Sequence, residues 1–413
     1  MMLHDKTKIY IWNMIGGIVN STISIISVMV IIRLTNTYYS GLFSLGFANA
    51  MLLQHVGSFD SRSHQCADAK SHFTFSEYLS FRLLTCGLMV IATAAFILLN
   101  HYSADRALIT ALLALFCVFT NISDIFQGLA QKNERLDISG QSMSIRTIGG
   151  LLLMTALLVV TKNLYISVIG LILAQIAVIL FFDIPKTKAF SDPHLNFSYK
   201  QMKLLFVQTF PLFLSLFLQA YIYNMPKYAI DHYLSLDAQA IYGILFMPAS
   251  IISLFGSFIF RPVLTHLSSL WSEKQYLDVI KMCLSRIAVL LVLTLMLATA
   301  GFFVGTQVLS LLYTLDLSQY RSVLVIILIG GGVTGVSSLL YFMATAMQKQ
   351  YRMLLCYLVS FIASIMVSFP LVKRWGLMGA AWSYLLSCVI LNISIIALMF
   401  ITTKRAVKAK NNA

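Results

Sequence analysis

The chain has 413 residues, 59% of them hydrophobic and 11% charged, with a formal net charge of +14 and a mean hydropathy of +0.84. A soluble domain carries about a quarter charged residues, so this composition excludes a water-soluble enzyme and predicts an all-α polytopic membrane protein. The excess of Lys and Arg is spread over alternate loops and the C-terminal tail instead of forming one face, which argues against a nucleic-acid partner.

Met1 to Lys8 is short and basic, and the apolar run behind it exceeds the roughly 7 to 15 residues of a signal-peptide core, so the first helix is expected to be retained. Recurrent apolar stretches of about 20 residues predict about twelve transmembrane helices. They lie near 9–32, 40–60, 76–100, 107–131, 138–161 and 164–182, then 201–229, 239–260, 284–309, 321–346, 352–372 and 376–402. The expected organisation is an N-terminal six-helix lobe (1–183), a cytoplasmic inter-lobe linker (184–200) carrying prolines and charge, a C-terminal six-helix lobe (201–403) and a basic tail (404–413). Placing both termini in the cytoplasm leaves only Arg33, Arg106, Lys162, Lys227, Arg321, Lys373 and Arg374 on the outer side, as the positive-inside rule requires.

Along the first helix Asn13, Gly17, Asn20, Ser24 and Ser27 share one face, which serves either as a packing seam or as the lining of a watery path. Gly57-Ser58-Phe59-Asp60-Ser61-Arg62 and Gly256-Ser257-Phe258-Ile259-Phe260-Arg261 share a GSFxxR pattern six helices apart, as two parallel halves would. The seventh helix carries a second polar stripe, Gln208, Pro211, Ser215, Gln219 and Pro226, running into Asn224 and Lys227. Stripes at equivalent positions in two halves are expected to line a shared central cavity. The six cysteines are scattered without CxxC spacing, so neither a disulfide framework nor a zinc site is expected, and His64, Cys66 and His72 read as loop residues, leaving no metal.

Charges inside helices are the more pointed signal, since one at the bilayer centre costs at least about 2.5–3.5 kcal/mol. Asp124 and Arg146 both fall roughly 10–12 Å from the cytoplasmic face and are expected to pair, either as a structural ion pair or as part of transport. Asp124 is also the candidate for ion coupling. Arg82 either snorkels to the interface or faces inward. Arg33, Arg62, Lys227 and Arg261 stand at helix ends, where anchoring and substrate contact are the alternatives. Together Arg33, Arg62, Arg82, Arg146, Lys227 and Arg261 outnumber the acids near them, chiefly Asp60 and Asp124, so an anion is the expected cargo, held by bidentate guanidinium contacts to phosphate. The loops are too short for a folded ectodomain or a catalytic domain, and neither a P-loop nor an HExxH helix is present. No cofactor is expected.

Several segments resemble the polysaccharide transporter family of the multidrug, oligosaccharidyl-lipid and polysaccharide exporter superfamily. They are SGLFSLGFANA with VGSFDSR at helix two, YNMPKYAID closing helix seven, FMPASIISLFGSFIFRP in helix eight and WGLMGAAWSYLLSC opening helix twelve. The resemblance implies two six-helix lobes around a central cavity and alternating access. It further implies a cargo of oligosaccharide repeat units on undecaprenyl diphosphate, flipped across the bacterial inner membrane for O-antigen, capsule or exopolysaccharide assembly. Arg62 and Lys227 match the family's recurrent basic sites. Membrane lipids, a polysaccharide polymerase and a chain-length regulator are the expected neighbours. The alternatives are a lipid II flippase or a multidrug/cation antiporter of the same superfamily, and a membrane-embedded polysaccharide polymerase.

Overall fold

The computed structural model describes residues 2–68, 72–260, 270–271, 273, 275–346 and 350–411. Among these, all regular structure is helical. In chain order the α-helices are α1 (Met2–Ser21), α2 (Ile23–Leu34), α3 (Thr37–Ser58), α4 (Ser61–Ala67), α5 (Phe75–Leu99), α6 (Ala104–Lys132), α7 (Leu136–Thr161), α8 (Leu164–Val178) and α9 (Ile184–Thr187). They continue as α10 (Tyr199–Tyr233), α11 (Leu236–Phe260), α12 (Tyr276–Ala300), α13 (Thr306–Tyr313), α14 (Arg321–Ala346) and α15 (Gln350–Asn411). Nine described segments are long and apolar enough to cross a bilayer. One of them contains a break at Gly376, and α3 and α11, at 22 and 25 residues, also have the necessary length. The protein is therefore an all-α, multi-pass membrane protein with about twelve spans.

Side-chain caps set several helix starts. Asn36 accepts from the Tyr39 amide and opens α3 three residues earlier than hydropathy indicates, and Asn163 accepts from Tyr165 and Ile166 to open α8. Thr74 and Glu77 form a reciprocal capping box at α5. The sixth span does not stop at residue 182. It continues through a π turn (Ile179–Asp183) into α9, with Pro185 directly after the π turn inside the continuous helix. The expected linker then lies along α5: the Ser80 hydroxyl accepts from the Asn196 amide at 2.8 Å, and Ser76 Oγ lies 3.0 Å from His194 Nε2.

The chain divides into two compact units, Met1–Phe217 and Leu218–Ala413, with the boundary inside α10. In the first unit α6 is the central helix, packed by α3, α4, α5, α7 and α8. An aromatic cluster closes one end, where Phe59 stacks on Phe213 at 4.4 Å and meets Phe81 edge-on. α1 crosses α7 at Gly16 and Gly140, whose missing side chains let the two backbones touch.

In the second unit α14 is central, against α11, α12 and α15. Its Gly331 and Gly332 admit the Ala249 backbone and the Thr294 side chain. α15 is two antiparallel helices joined at Gly376 (φ 55°, ψ −132°), a conformation open to glycine alone. Gly379 lies against the Leu371 carbonyl, and Cys356 Sγ meets the Ser394 carbonyl at 3.4 Å. Both pairs are symmetric about residue 375.

Candidate functional site

The first unit holds a buried charge cluster built from α4, α5 and α6. α3 ends because Phe59 and Asp60 both adopt left-handed φ, 47° and 49°, after which α4 turns Arg62 back under α6. The Arg62 guanidinium donates to Asp124 Oδ1 at 2.7 Å, Gln127 Oε1 at 3.2 Å and Gln131 Oε1 at 2.9 Å. These acceptors follow i, i+3, i+7 spacing and so lie on one face of α6. Arg82 is fully buried (0% exposed), donating to Asp124 Oδ2 at 3.2 Å and to the Gly57 carbonyl at 3.2 Å. It therefore faces inward and does not snorkel. Asp124 thus bridges two arginines. Beside them, burial pushes the Asp60 carboxyl up to about 6; the Ser63 hydroxyl at 2.6 Å works against this shift, and the Asp124 charge adds to it.

The expected Asp124–Arg146 pair is absent. Ser123 of α6 faces Ser142 of α7, with Gln127 spanning both sides (its Nε2 donates to Ser142 and its Oε1 accepts from Arg62), and one residue beyond Ser123 is a rotation of about 100°, which turns Asp124 toward α4 and α5 instead. Arg146 (5% exposed) donates to Asn20 Oδ1 of α1 at 3.3 Å, which Thr147 also approaches, and its Nε and Nη1 find no partner. The acid missed by the sequence reading is Asp183. It is 1% exposed inside the π turn and accepts from Ser123 Oγ at 2.6 Å. Sequence placed it at the start of a polar linker because Pro185, Lys186 and Lys188 follow it. In this cluster Asp60, Asp124 and Asp183 stand beside Arg62, Arg82 and Arg146, so its acids equal its arginines in number.

The first polar stripe is partly a seam and partly open. Asn20 is taken up by Arg146, and Ser27 is buried. Gly17 faces open space, and Asn13 is partly buried; the close backbone crossing uses Gly16, on the neighbouring face. Arg33 is exposed at the end of α2. Arg261 lies outside the described residues. The GSFxxR copies differ in backbone: the first breaks at Phe59, whereas α11 stays helical through Phe260. His64 and Cys66 lie in α4 and not on a loop as expected, and Asp68, just past that helix, accepts from the His72 and Phe73 amides. Among the described residues no three His, Cys, Asp or Glu side chains converge as metal ligands.

On α10, Gln208 is exposed, Gln219 donates to Tyr223 at 3.3 Å, and Asn224 donates to the Ala220 carbonyl at 3.0 Å. Lys227, partly buried in the same helix, holds its ammonium 5.0 Å from the Phe246 ring centre. Among the described residues no carboxylate pairs with it.

No family model matches this sequence. The capsular polysaccharide biosynthesis protein CapF of Staphylococcus aureus is 24% identical over 318 residues, 76% of this chain and 79% of that protein. A multidrug resistance MATE family transporter of the MOP superfamily, solved in an inward-facing conformation, superposes with a TM-score of 0.71 at 11% identity, over 97% of this chain and 99% of that one. The lipid II flippase MurJ in its inward closed conformation gives 0.66 at 15% identity, over 94% and 87%. The Vibrio cholerae MATE transporter VcmN in its bent form gives 0.59 at 15%, over 98% of each chain. The chain thus shares the fold of these MATE transporters and of this flippase, and it is similar in sequence to a capsule biosynthesis protein.

Proposed function

We propose that the protein flips undecaprenyl-diphosphate-linked oligosaccharide repeat units across the bacterial cytoplasmic membrane by alternating access, supplying capsule or a related surface polysaccharide. The observation that carries this reading is Lys227. A cation inside a span costs about 2.5–3.5 kcal/mol at the bilayer centre and less toward the end of the span, where Lys227 stands, and a ring beneath it returns about 0.5–2 kcal/mol. With no carboxylate paired to it among the described residues, the remainder favours an anionic ligand. A cation antiporter would want the opposite charge there. The sequence similarity to CapF supports a polysaccharide precursor as the anion, and the MurJ-like fold supports a lipid-linked one.

Arg62 has a second part in this reading. Its guanidinium is half-satisfied by neutral glutamines, so an incoming phosphate competes with Asp124 for it without stranding a charge. Export of an anion driven by an inside-negative potential is favoured by roughly 2.3 kcal/mol per charge per 100 mV. A polymerase and a chain-length regulator would act on the product.

The test is the leaflet distribution of lipid-linked oligosaccharide in cells carrying Lys227→Glu or Lys227→Arg at matched expression. Lys227→Glu is expected to trap complete units in the inner leaflet and abolish surface polymer, and Lys227→Arg to retain export. Normal outer-leaflet units in the glutamate variant overturn the reading. Accumulation of lipid II in place of oligosaccharide units would transfer it to peptidoglycan precursors.

A further inference from the structure

A second binding feature lies in the C-terminal unit, independent of the transport reading. Where α12 passes through the π turn Gly301–Gly305, a groove of about 460 Å³ opens between α12 and α14. Leu291, Leu295, Ala298 and Phe302 line one wall, and Val325 and Ile329 the other. Leu291, Leu295, Phe302 and Ile329 are exposed, within segments apolar enough to span a bilayer. At one end stands Arg321, the first residue of α14. Its guanidinium carbon lies 5.2 Å from the centre of the Phe302 ring, and its buried Nε has no hydrogen-bond partner. Among the described residues no carboxylate pairs with it.

The dimensions select the occupant. From Leu291 to Phe303 the groove runs about 18 Å along the helix, slightly more than half the roughly 30 Å hydrocarbon core. A cavity of about 150 Å³ accommodates benzene, or roughly 25 Å³ per carbon, so the groove holds on the order of 18 carbons. That is one acyl chain. An eleven-unit prenyl chain needs about three times as much space. A chain-length apolar slot in lipid, ending at an arginine with unused donor capacity, matches an amphiphile with one anionic head.

We propose that this groove binds an anionic phospholipid, with one acyl chain along α12 and its phosphate on Arg321, in the leaflet at the Arg321 end.

Native mass spectrometry of the detergent-purified full chain, titrated with palmitoyl-oleoyl phosphatidylglycerol or phosphatidylcholine, tests it. Phosphatidylglycerol is expected to bind the wild type with clear preference. Arg321→Gln should weaken that lipid about tenfold or more, the scale of one or two charge-assisted hydrogen bonds, and erase the preference. Ala298→Trp, which fills the groove while keeping the arginine, should lose the same bound lipid. Thermal unfolding of both variants within a few degrees of the wild type confirms that they are folded; if either is not, Arg321→Met and Ala298→Leu replace them. Equal binding of the two lipids, or affinity unchanged in both variants, overturns the proposal. Displacement of phosphatidylglycerol by undecaprenyl phosphate at stoichiometric concentration reassigns the groove to a prenyl chain and also overturns it.

Discussion

Removing the Asp124 carboxylate tests the buried charge cluster most directly. Asp124 binds Arg62 at 2.7 Å and Arg82 at 3.2 Å, and the Arg82 side chain has no exposure to solvent, whereas 27% of the Asp124 side chain is exposed. Breaking a buried pair from one side costs about 3–5 kcal/mol, because the partner stays buried and uncompensated. The partial exposure of Asp124 places Asp124→Leu near the lower end, about 3 kcal/mol, or roughly two orders of magnitude in the folded-to-unfolded ratio. Arg82→Leu should cost less than the sum implies, since Thr85 Oγ1 still donates to the Gly57 carbonyl at 2.7 Å. The double variant Arg82→Leu/Asp124→Leu should then recover part of the loss, with a coupling of at least about 1.5 kcal/mol. Denaturant unfolding of the four proteins in one detergent measures it. Because the pair is shielded from solvent, the coupling should change little between low and high salt. Additive single-variant costs, with coupling below about 0.5 kcal/mol, would refute the ion-pair reasoning.

Exchanging Asp124 and Arg146 should fail to restore stability or transport, because the swap sets a third arginine beside Arg62 and Arg82 and leaves an aspartate facing Asn20; recovery by the swap in an export assay would contradict the geometry. Gly140→Ala should destabilise by about 1–3 kcal/mol or more, since its methyl group meets the Trp12 carbonyl, whereas Gly17→Ala should be near neutral; parallel thermal melts compare them. Asp60 has a folded-state value of about 6 against an ordinary 3.8, so its protonated form is the one the fold favours. Its contribution is present below about 4 and lost as pH rises through about 6. Asp60→Asn should flatten stability over that window, as read by unfolding at a series of pH values.

The spans were legible because water-to-lipid transfer leaves a signal in every window of about 20 residues. Their rotations were not. Counting along the helices assigns Asp124 and Arg146 one depth, whereas facing depends on which neighbours a helix packs against. Only the Ser123–Ser142 contact on the α7 side of α6 reveals that Asp124 points elsewhere. Asp183 was hidden by composition, since a helix that continues through a π turn past a proline looks like its own end. α12 begins eight residues before the predicted 284 because its first turns carry Asp278 and Lys281, exposed and polar, which lower hydropathy without breaking the helix. A signal was available for one missed pair of residues: Gln127 and Gln131 sit at i+3 and i+7 from Asp124, a polar face too regular for a lipid-facing surface.

The hairpin at Gly376 has a practical consequence for anyone mapping this protein in cells. Its two helices reverse direction over a single residue, with Gly379 already against the Leu371 carbonyl, so there is no slack for inserted chain. An epitope, protease site or fused reporter placed between 372 and 378 must unwind a turn of one helix to be accommodated. Topology experiments based on such insertions would register that end of the hairpin as intolerant whichever side of the membrane it faces. The stretch 314–316, between α13 and the 3₁₀ turn before α14, stands open or partly open and is the better place for a reporter of the same kind.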